Sequence, residues 1–247
     1  MADLSTFSPD ANVAVIGASG GIGAAFCSSL ARDESVGSVH ALSRSGASNG
    51  DERIQTCAID LCDEVSIAVA ADKVSKSAPL DLVIVASGML HWRDIQPEKT
   101  LRDINADNML DIFWVNCVGP ALIAKHFLPK MRRDGKTVFT ALSARVGSIE
   151  DNRLGGWVSY RASKAALNMT LKTLAIEHAR RWPESIIATL HPGTVDTELS
   201  KPFSSRVDPE RLFTPETSAN HLLRVIDGLG SSDSGGFFAW EGSRIPY

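Results

Sequence analysis

The amino-acid sequence predicts an α/β fold, in which one domain, residues 1–247, is built on a doubly wound parallel sheet of about seven strands with helices on both faces. Three observations support this prediction. Short apolar, β-branched runs alternate with helical patterns, a glycine-rich turn joins the first run to the first helix, and the composition shows no break. The 247 residues are 44% hydrophobic, which is enough for one large core. Parallel neighbours in such a sheet require right-handed crossovers.

The individual elements follow from local patterns. The runs that predict buried strands lie at residues 12–16, 38–43, 54–60, 80–87, 136–142, 184–190 and 236–240. The helical patterns lie at residues 24–32, 63–77, 105–132, from 160 onward, and 215–229. Thr214 and Pro215 are typical of an N-cap and a first helical position. Gly119 and Pro120 predict an irregularity inside the third helix.

Charge and cysteine content narrow the class of protein. The net charge of −4 and the lack of a dense basic stripe argue against a nucleic-acid partner. The acidic start lacks the apolar region of a secretory signal, and no apolar run approaches the ~20 residues needed to span a bilayer. The four cysteines form no CxxC pair and the six histidines lack metal-ligand spacing. We therefore expect a cytoplasmic protein with free thiols, no metal and no membrane partner.

The turn between the first strand and the first helix contains four glycines in residues 17–23. Small residues let the backbone approach a pyrophosphate, and the free N–H groups at a helix start favour its negative charge. Strand, glycine turn and helix in this order predict a dinucleotide site. A tight structural turn that binds nothing is the alternative.

Tyr160 and Lys164 are four residues apart, so they share one face of the predicted helix. A phenol titrates near ~10, and a neighbouring cation lowers that pKa. The pair therefore suits general acid–base chemistry on a carbonyl or an alcohol. For the pair alone, an ordinary surface helix is the alternative.

Three more residues lie at or just after the ends of predicted strands, at the edge where doubly wound sheets bind ligands. Arg44 stands where an acidic residue would bind the ribose diol of NAD, so it favours a 2′-phosphate and NADP(H) over NAD(H). Asp60 suits either an adenine amino group or a helix N-cap. Gly88 suits either a ribose passing close to the backbone or a plain turn. A solvated surface arginine is the alternative for Arg44.

Together with two further motifs, these residues resemble the short-chain dehydrogenase/reductase family over nearly the whole chain. Gly17, Gly21 and Gly23 match the glycine turn of the family, and Asn116 matches its helix asparagine. Tyr160 and Lys164 match its Tyr-x-x-x-Lys pair, and residues 191–197 match its Pro-Gly segment. Residues 147–160 and 240–247 look most like the C-factor and sniffer-type carbonyl reductase branch. The resemblance implies a Rossmann fold and a set of cofactor-binding residues: Gly17, Ser19, Gly21, Ile22, Gly23, Arg44, Asp60, Leu61, Ser87, Gly88, Tyr160, Lys164, Pro192, Gly193, Val195 and Thr197.

The resemblance also implies roles in catalysis. Tyr160 would protonate a carbonyl oxygen as hydride arrives from NADPH. Lys164 would lower the pKa of the phenol and bind the nicotinamide ribose. Asn116 would hold a water in a proton relay behind Lys164, or would instead satisfy an irregular backbone near Gly119. His191 is interpreted as structural, because Tyr160 already fills the role of the acid.

The chain departs from the family at two positions. Ala144 replaces the second residue of the family's Ser-Ser pair, whose hydroxyl contacts the substrate oxygen. Ser143 or Ser148 could take over, and we favour Ser143 as the fourth catalytic residue because side chains alternate along a strand. The second departure is at residues 85–88, where the family's two asparagines are absent, which puts local bracing of the sheet in doubt.

The substrate and partners are predicted only in outline. Residues 198–213 follow the nicotinamide segment and are expected to form a lid, and His91, Trp92 and Trp157 are candidate aromatic walls. These features favour a small, mostly apolar carbonyl or alcohol substrate. The resemblance implies a homodimer or homotetramer. The alternative function is a dinucleotide-binding signalling or regulatory protein of the C-factor type with little turnover, which Ala144 favours.

Overall fold

The computed structural model describes residues 4–46, 51–206, 208 and 211–247. Its main sheet contains β1 Ala11–Ile16, β2 Val36–Ser43, β3 Ile54–Ala58, β4 Leu82–Val85, β5 Thr137–Leu142, β6 Ser185–His191 and β9 Phe237–Ala239. A separate short pair is formed by β7 Thr194–Val195 and β8 Leu212–Phe213. The helices are α1 Gly21–Leu30, α2 Glu64–Val74, α3 Ala106–Phe113, α4 Gly119–Phe127, α5 Val158–His178 and α6 Pro215–Gly228.

The seven-stranded sheet has the order β3-β2-β1-β4-β5-β6-β9, and every neighbouring pair is parallel. Strand order therefore reverses between β1 and β4, which is where doubly wound sheets open a crevice for ligands. The predicted fold class and all seven predicted strands are confirmed, and no strand end lies more than two residues from its predicted position. The pair β7 and β8 was not predicted, because two-residue strands carry no periodic signal.

Apolar side chains of the sheet are buried on both faces. One core packs α1 and α6 against the sheet through residues such as Phe26 and Leu222. The opposite core packs α2, α4 and α5 through residues such as Ile67, Phe127 and Leu171. Burial on both faces explains why the strands are continuous apolar runs rather than alternating ones.

The long predicted helix is interrupted immediately before Gly119 and Pro120, where the sequence predicts an irregularity. A five-residue π-helical segment, Trp114–Val118, joins α3 to α4 and ends immediately before Gly119. Single-turn π segments are frequent at functional sites. This one contains Asn116.

The helical stretch Ala106–Lys130 is long and apolar enough to cross a membrane by length and composition alone. This differs from the prediction that no run approaches membrane-spanning length. The core helix of a soluble protein passes the same test, and α4 packs here against α2 and α5.

Candidate active site

The glycine turn lies at the switch point between β1 and β4. Gly17 has φ +87°, and a Cβ on it would lie 2.8 Å from the backbone nitrogen of Ser87. A Cβ on Gly21 would lie 3.0 Å from Cγ2 of Thr197, so it would fill the space between the turn and the loop after β6. Only glycine at these positions leaves a cradle that a phosphate group could enter.

The start of α1 supplies the donors for that cradle. Its N-cap is a glycine, Gly20, which has no side chain to cap the helix, and the first turn carries no acidic residue. The first N–H groups of a helix have no intrahelical partner and attract anions. Ser19 is exposed and Ile22 half-buried beside this turn. The buried hydroxyl of Ser87 also lacks a hydrogen-bond partner among the described residues. The residues present thus fit a dinucleotide pyrophosphate.

The residues expected around the adenosine follow β2 and β3. Arg44 is exposed at the end of β2, and its guanidinium carbon lies 5.7 Å from the centre of the Trp92 ring. Asp60 accepts a hydrogen bond from the Cys62 backbone at 2.9 Å. The N-cap of α2 is Asp63, so the helix-capping explanation for Asp60 is wrong. The other carboxyl oxygen of Asp60 accepts no hydrogen bond from the residues that the structure describes.

Leu61 lies between the expected adenine site and the interrupted helix. Its carbonyl accepts a hydrogen bond from the Trp114 indole at 3.0 Å. Its side chain is also close to Gly119, where a Cβ would lie 3.2 Å from that of Leu61. The loop after β3 is therefore fixed against the π segment.

Tyr160 and Lys164 lie in the first two turns of α5, and both side chains are buried. The Lys164 ammonium donates to the Leu142 carbonyl at 2.8 Å and lies 5.8 Å from the centre of the Tyr160 ring. A Cβ on Gly88 would lie 3.5 Å from Lys164 Nζ. Since an ammonium has three donors, Lys164 keeps donors for a ligand that passes over Gly88.

Burial controls the ionisation of both groups. Desolvation raises the pKa of Tyr160 to about 12 and lowers that of Lys164 to about 8. Desolvation of Tyr160 outweighs the charge of Lys164, so the net pKa of the phenol is raised and not lowered as the sequence predicts. The phenol is neutral at physiological pH, which is the form that donates a proton.

Asn116 is fully buried in the π segment. Its Oδ1 accepts from the Met89 backbone at 2.8 Å, and its Nδ2 donates to the Met89 carbonyl at 2.8 Å and to Ser163 Oγ at 3.0 Å. The side chain therefore ties the loop after β4 to α5. The backbone that these bonds brace is the loop after β4, not the irregular backbone near Gly119 that was the alternative role. The water relay stays a prediction.

The two candidate serines differ in their hydrogen bonds. Ser143 follows β5 directly, is buried, and its hydroxyl has no partner among the described residues. The Ser148 hydroxyl accepts a hydrogen bond from the Asp151 backbone at 3.1 Å. Of the two hydroxyls, only that of Ser143 makes no hydrogen bond to the described residues.

The segment after β6 faces the glycine turn. The Pro192 carbonyl accepts from Ser218 Oγ at 2.8 Å, and Gly193 has φ +79°. Ser200 binds this loop from the other side, donating to the Val195 carbonyl and accepting from the Thr197 backbone at 3.2 Å. Ser200 therefore braces this loop, and no sequence motif indicated this serine.

His191 is held neutral by its surroundings. Burial, with a smaller contribution from Arg145, lowers its pKa to about 4. Its Nδ1 is buried without a partner among the described residues. A neutral imidazole is a poor acid at pH 7, in agreement with the structural interpretation.

Aromatic side chains connect the expected lid to Tyr160. Phe203 lies in the short 3₁₀ helix Lys201–Arg206, and its ring centre is 5.8 Å from that of His91 and 5.1 Å from that of Trp157. The Trp157 ring is in turn 6.4 Å from the Tyr160 ring. His91 Nε2 also donates to the carbonyls of Glu198 and Leu199, both at 3.2 Å. Residues 207, 209 and 210 of the expected lid, Pro209 among them, lie outside the described residues.

Sequence reasoning missed a buried carboxyl group. Glu98 is 5% exposed and contacts the first turn of α5 through Ser159. The two residues are 61 positions apart, so no local pattern connects them.

A glycine-lined cradle at the switch point, beside a buried tyrosine–lysine pair, defines a dinucleotide-binding oxidoreductase of the Rossmann type. Comparisons with known proteins agree. The family model described as short chain dehydrogenase matches residues 11–208. The C-signal protein of Myxococcus xanthus is 33% identical over 173 residues, which cover 69% of this chain and 95% of that protein. The 1-hydroxy-2-glutathionyl-2-methyl-3-butene dehydrogenase of Rhodococcus sp. (strain AD45) is 29% identical over 228 residues, covering 85% and 95%.

Among solved structures, the NADPH-bound carbonyl reductase from chicken fatty liver matches with a TM-score of 0.85 and 25% identity, covering 98% of this chain and 96% of that one. The carbonyl reductase Sniffer of D. melanogaster matches with a TM-score of 0.82 and 21% identity, covering 97% and 100%, which supports the fold. The chain belongs to the short-chain dehydrogenase/reductase family, in the branch of the carbonyl reductases, and is an NAD(P)-dependent oxidoreductase. The family predicted from the motifs is confirmed.

Proposed function

We propose that the protein reduces the carbonyl group of a small, mostly apolar substrate with NADPH, and that Tyr160 is the proton donor. One observation carries this proposal. Tyr160 and Lys164 are buried together on one helix face, and Lys164 Nζ borders Gly88 on the ligand-binding edge of the sheet. The opposite direction, oxidation of the alcohol, uses the same residues.

Tyr160, Lys164 and Ser143 have separate roles in the proposed reaction. A bound reduced nicotinamide supplies the hydride. Tyr160, neutral because burial raises its pKa, donates its proton to the carbonyl oxygen. Lys164 provides a positive charge that stabilises the resulting phenolate and hydrogen-bond donors for the ribose. The free hydroxyl of Ser143 donates to the oxygen as negative charge develops on it.

The proposed cofactor residues surround the cradle. The helix start at Gly21, Ile22 and Gly23, with Ser19, holds the pyrophosphate, and Ser87 and Gly88 border the ribose. Pro192, Gly193, Val195 and Thr197 orient the carboxamide. Asp60 and Leu61 border the adenine.

Arg44 favours NADPH over NADH. Its guanidinium presents several donors in one plane, which suits a 2′-phosphate. The chicken carbonyl reductase, which was solved with NADPH bound, supports this assignment by similarity.

The lid and the aromatic side chains define the substrate side. We propose that residues 198–213 close over the substrate and that Trp157 and Phe203 provide apolar walls. Exposed apolar residues on α3 and α5, among them Leu110, Met169 and Ile176, support pairing of subunits into a homodimer or homotetramer. A cytoplasmic location is part of the same proposal.

The deciding experiment measures NADPH consumption with 4-nitrobenzaldehyde, 9,10-phenanthrenequinone and 2-heptanone, for the wild type and for Tyr160→Phe. The phenylalanine keeps the ring but has no proton to donate. We expect turnover by the wild type and a loss of about 10²- to 10⁴-fold in the variant. Equal rates in the two proteins would contradict the proposal.

The similarity to C-signal and the alanine at position 144 favour a second candidate, a regulatory protein that binds the dinucleotide but turns over little. The same panel separates the two functions. A regulatory protein would bind NADPH with the affinity of an enzyme but leave all three carbonyl compounds unreduced.

A further inference from the structure

Tyr160, the proposed proton donor, lies in the first turn of α5. Tyr160 is the third residue of α5, so its position depends on the first helical turn. The N–H groups of that turn have no partners within the helix. The N-cap residue, Trp157, makes no side-chain capping bond within the described part of the chain. The catalytic helix therefore does not cap itself.

Glu98 supplies the missing cap from a distant segment. Its two carboxyl oxygens accept from the Ser159 backbone N–H at 3.3 and 3.2 Å, and Oε1 also accepts from the Ser159 hydroxyl. The Glu98 backbone carbonyl accepts from the Trp157 N–H at 2.7 Å. One residue thus binds both the N-cap and the second residue of α5.

The environment of Glu98 indicates that this contact is specific. Glu98 is 5% exposed. Within the described residues its carboxyl group is hydrogen-bonded to Ser159 and makes no ion pair. Burying a carboxyl group costs free energy unless hydrogen bonds compensate it. Here the compensation comes from the start of α5, where the helix dipole favours an acidic group.

The backbone of Trp157 is also constrained. Its φ of +52° places a bulky residue in the left-handed region, which L-residues other than glycine rarely adopt. Such conformations persist where the surrounding structure enforces them. The bond to the Glu98 carbonyl is one such constraint, and the Trp157 ring packs on both Tyr160 and Phe203.

We propose that Glu98 is a positioning residue for Tyr160: it caps the first turn of α5 and thereby fixes the phenol in reach of the carbonyl oxygen. This inference rests on the proposed function, in which Tyr160 is the proton donor. Without the cap, the first turn frays and the phenol samples other positions, while Lys164, one turn further on, keeps its place. Misplacement of a catalytic group by about 1 Å can cost a factor of ~10² in rate.

The test compares Glu98→Ala and Glu98→Gln, using NADPH and the compound that the wild type reduces fastest among the three named above. We expect Glu98→Ala to lower kcat about 10- to 100-fold, with the KM for the carbonyl and the Kd for NADPH nearly unchanged. The solvent deuterium isotope effect on kcat should rise, because proton donation becomes the slow step. Glu98→Gln keeps an acceptor oxygen, so its kcat should stay within about threefold of the wild type.

Asp103→Ala is the matched control. Asp103 accepts hydrogen bonds from the backbone of Lys99 and Thr100, at 3.0 and 2.9 Å, in the segment that follows Glu98. This variant loosens the same segment without touching α5, and its kcat should be that of the wild type. If Glu98→Ala does not fold, Ser159→Ala carries the test, with an expected fall in kcat of about three- to tenfold.

Three results would overturn the proposal. The first is a wild-type kcat in Glu98→Ala or, where that variant does not fold, in Ser159→Ala. The second is an equal loss of kcat in Asp103→Ala, and the third is a loss of NADPH affinity in Glu98→Ala in proportion to its loss of kcat. Failure of the proposed function looks different. In that case Tyr160→Phe keeps the wild-type rate, whereas failure of this inference alone leaves Tyr160→Phe inactive and Glu98→Ala active.

Discussion

The guanidinium carbon of Arg44 lies 5.7 Å from the centre of the Trp92 ring. Arg44 follows β2 and Trp92 lies in the loop after β4, and β1 with its glycine turn separates these two strands in the sheet. The contact therefore connects the loops on either side of the dinucleotide cradle. A guanidinium stacked on an aromatic face keeps its N–H edge available for a phosphate.

Arg44→Ala should weaken the binding of NADPH and leave that of NADH nearly unchanged. Loss of a charged hydrogen bond to the 2′-phosphate corresponds to a rise of about 10- to 100-fold in the Kd for NADPH. Fluorescence titration with both cofactors measures this. Equal losses for the two cofactors would show that Arg44 is not the phosphate ligand.

Trp92→Ala tests whether the ring holds Arg44 in place. An exposed cation–π contact is worth little, so the Kd for NADPH should rise only about two- to fivefold, again without an effect on NADH. Trp182→Ala is the control, since its ring makes the same kind of contact with Arg133, at 5.6 Å, far from the cradle. No difference between the two variants would leave Trp92 without a role in cofactor preference.

Ser143 and Ser148 can be separated by their effects on rate and stability. Ser143→Ala should lower kcat by about 10²- to 10³-fold, because its free hydroxyl donates to the developing oxyanion. Ser148→Ala should lower the free energy of unfolding by about 1 kcal/mol through the lost bond to Asp151, and leave kcat unchanged.

Ala144→Ser restores the residue that the family usually has at this position. If Ser143 already supplies the hydrogen bond, this variant should not raise kcat. An increase of tenfold or more would mean that the oxygen lacks a donor in the wild type, and would count against Ser143.

Much of the fold could be predicted because its signals are local. A buried parallel strand such as β4 is an uninterrupted apolar run, and the N-cap of α6 at Thr214 lies next to its proline. The motif residues were found in the same way. Their spacing in the sequence reflects helix geometry, which brings Tyr160 and Lys164 onto one face.

What the sequence could not predict depends on contacts between distant residues. The hydrogen-bond partners of Asn116 are the backbone of Met89 and Ser163 Oγ, 27 and 47 positions away, and no local pattern indicates them. The water relay stays a prediction. The sequence spacing shows that Lys164 and the phenol of Tyr160 are close, but it does not show that both are buried. Burial has the larger effect on the phenol pKa and raises it. Asp60 and Asp63 are equally good N-caps by type, and only the course of the chain after β3 selects Asp63.

Buried histidines should make the protein less stable in acid. Desolvation lowers the pKa of His191 to about 4. It also lowers the pKa of His40, whose Nε2 is hydrogen-bonded to Asn12 Oδ1 at 2.9 Å. The unfolded chain titrates near ~6.5 and so binds more protons than the folded protein between that pH and ~4. The free energy of unfolding should therefore fall as the pH drops through this window, by on the order of 3 kcal/mol from His191 alone.

Urea unfolding between pH 4.5 and 7.5 measures this dependence. His191→Gln should flatten the profile, whereas His126→Gln, which removes a histidine in contact with exposed Glu64, should keep its slope. An unchanged slope in His191→Gln would mean that His191 does not titrate on unfolding.

Lys164 should set the alkaline limit of carbonyl reduction. Burial lowers its pKa to about 8, while that of Tyr160 is about 12, so the lysine loses its proton first as the pH rises. Below pH 8 the lysine is charged and the phenol is neutral, which is the combination that reduction needs. Since kcat/KM for NADPH reports the free enzyme, it should fall with an apparent pKa near 8. In Lys164→Arg the rate should be lower but this limb should vanish, because a guanidinium stays charged. A profile that is flat to pH 10 in the wild type, or the same limb in the arginine variant, would assign the alkaline titration to another group.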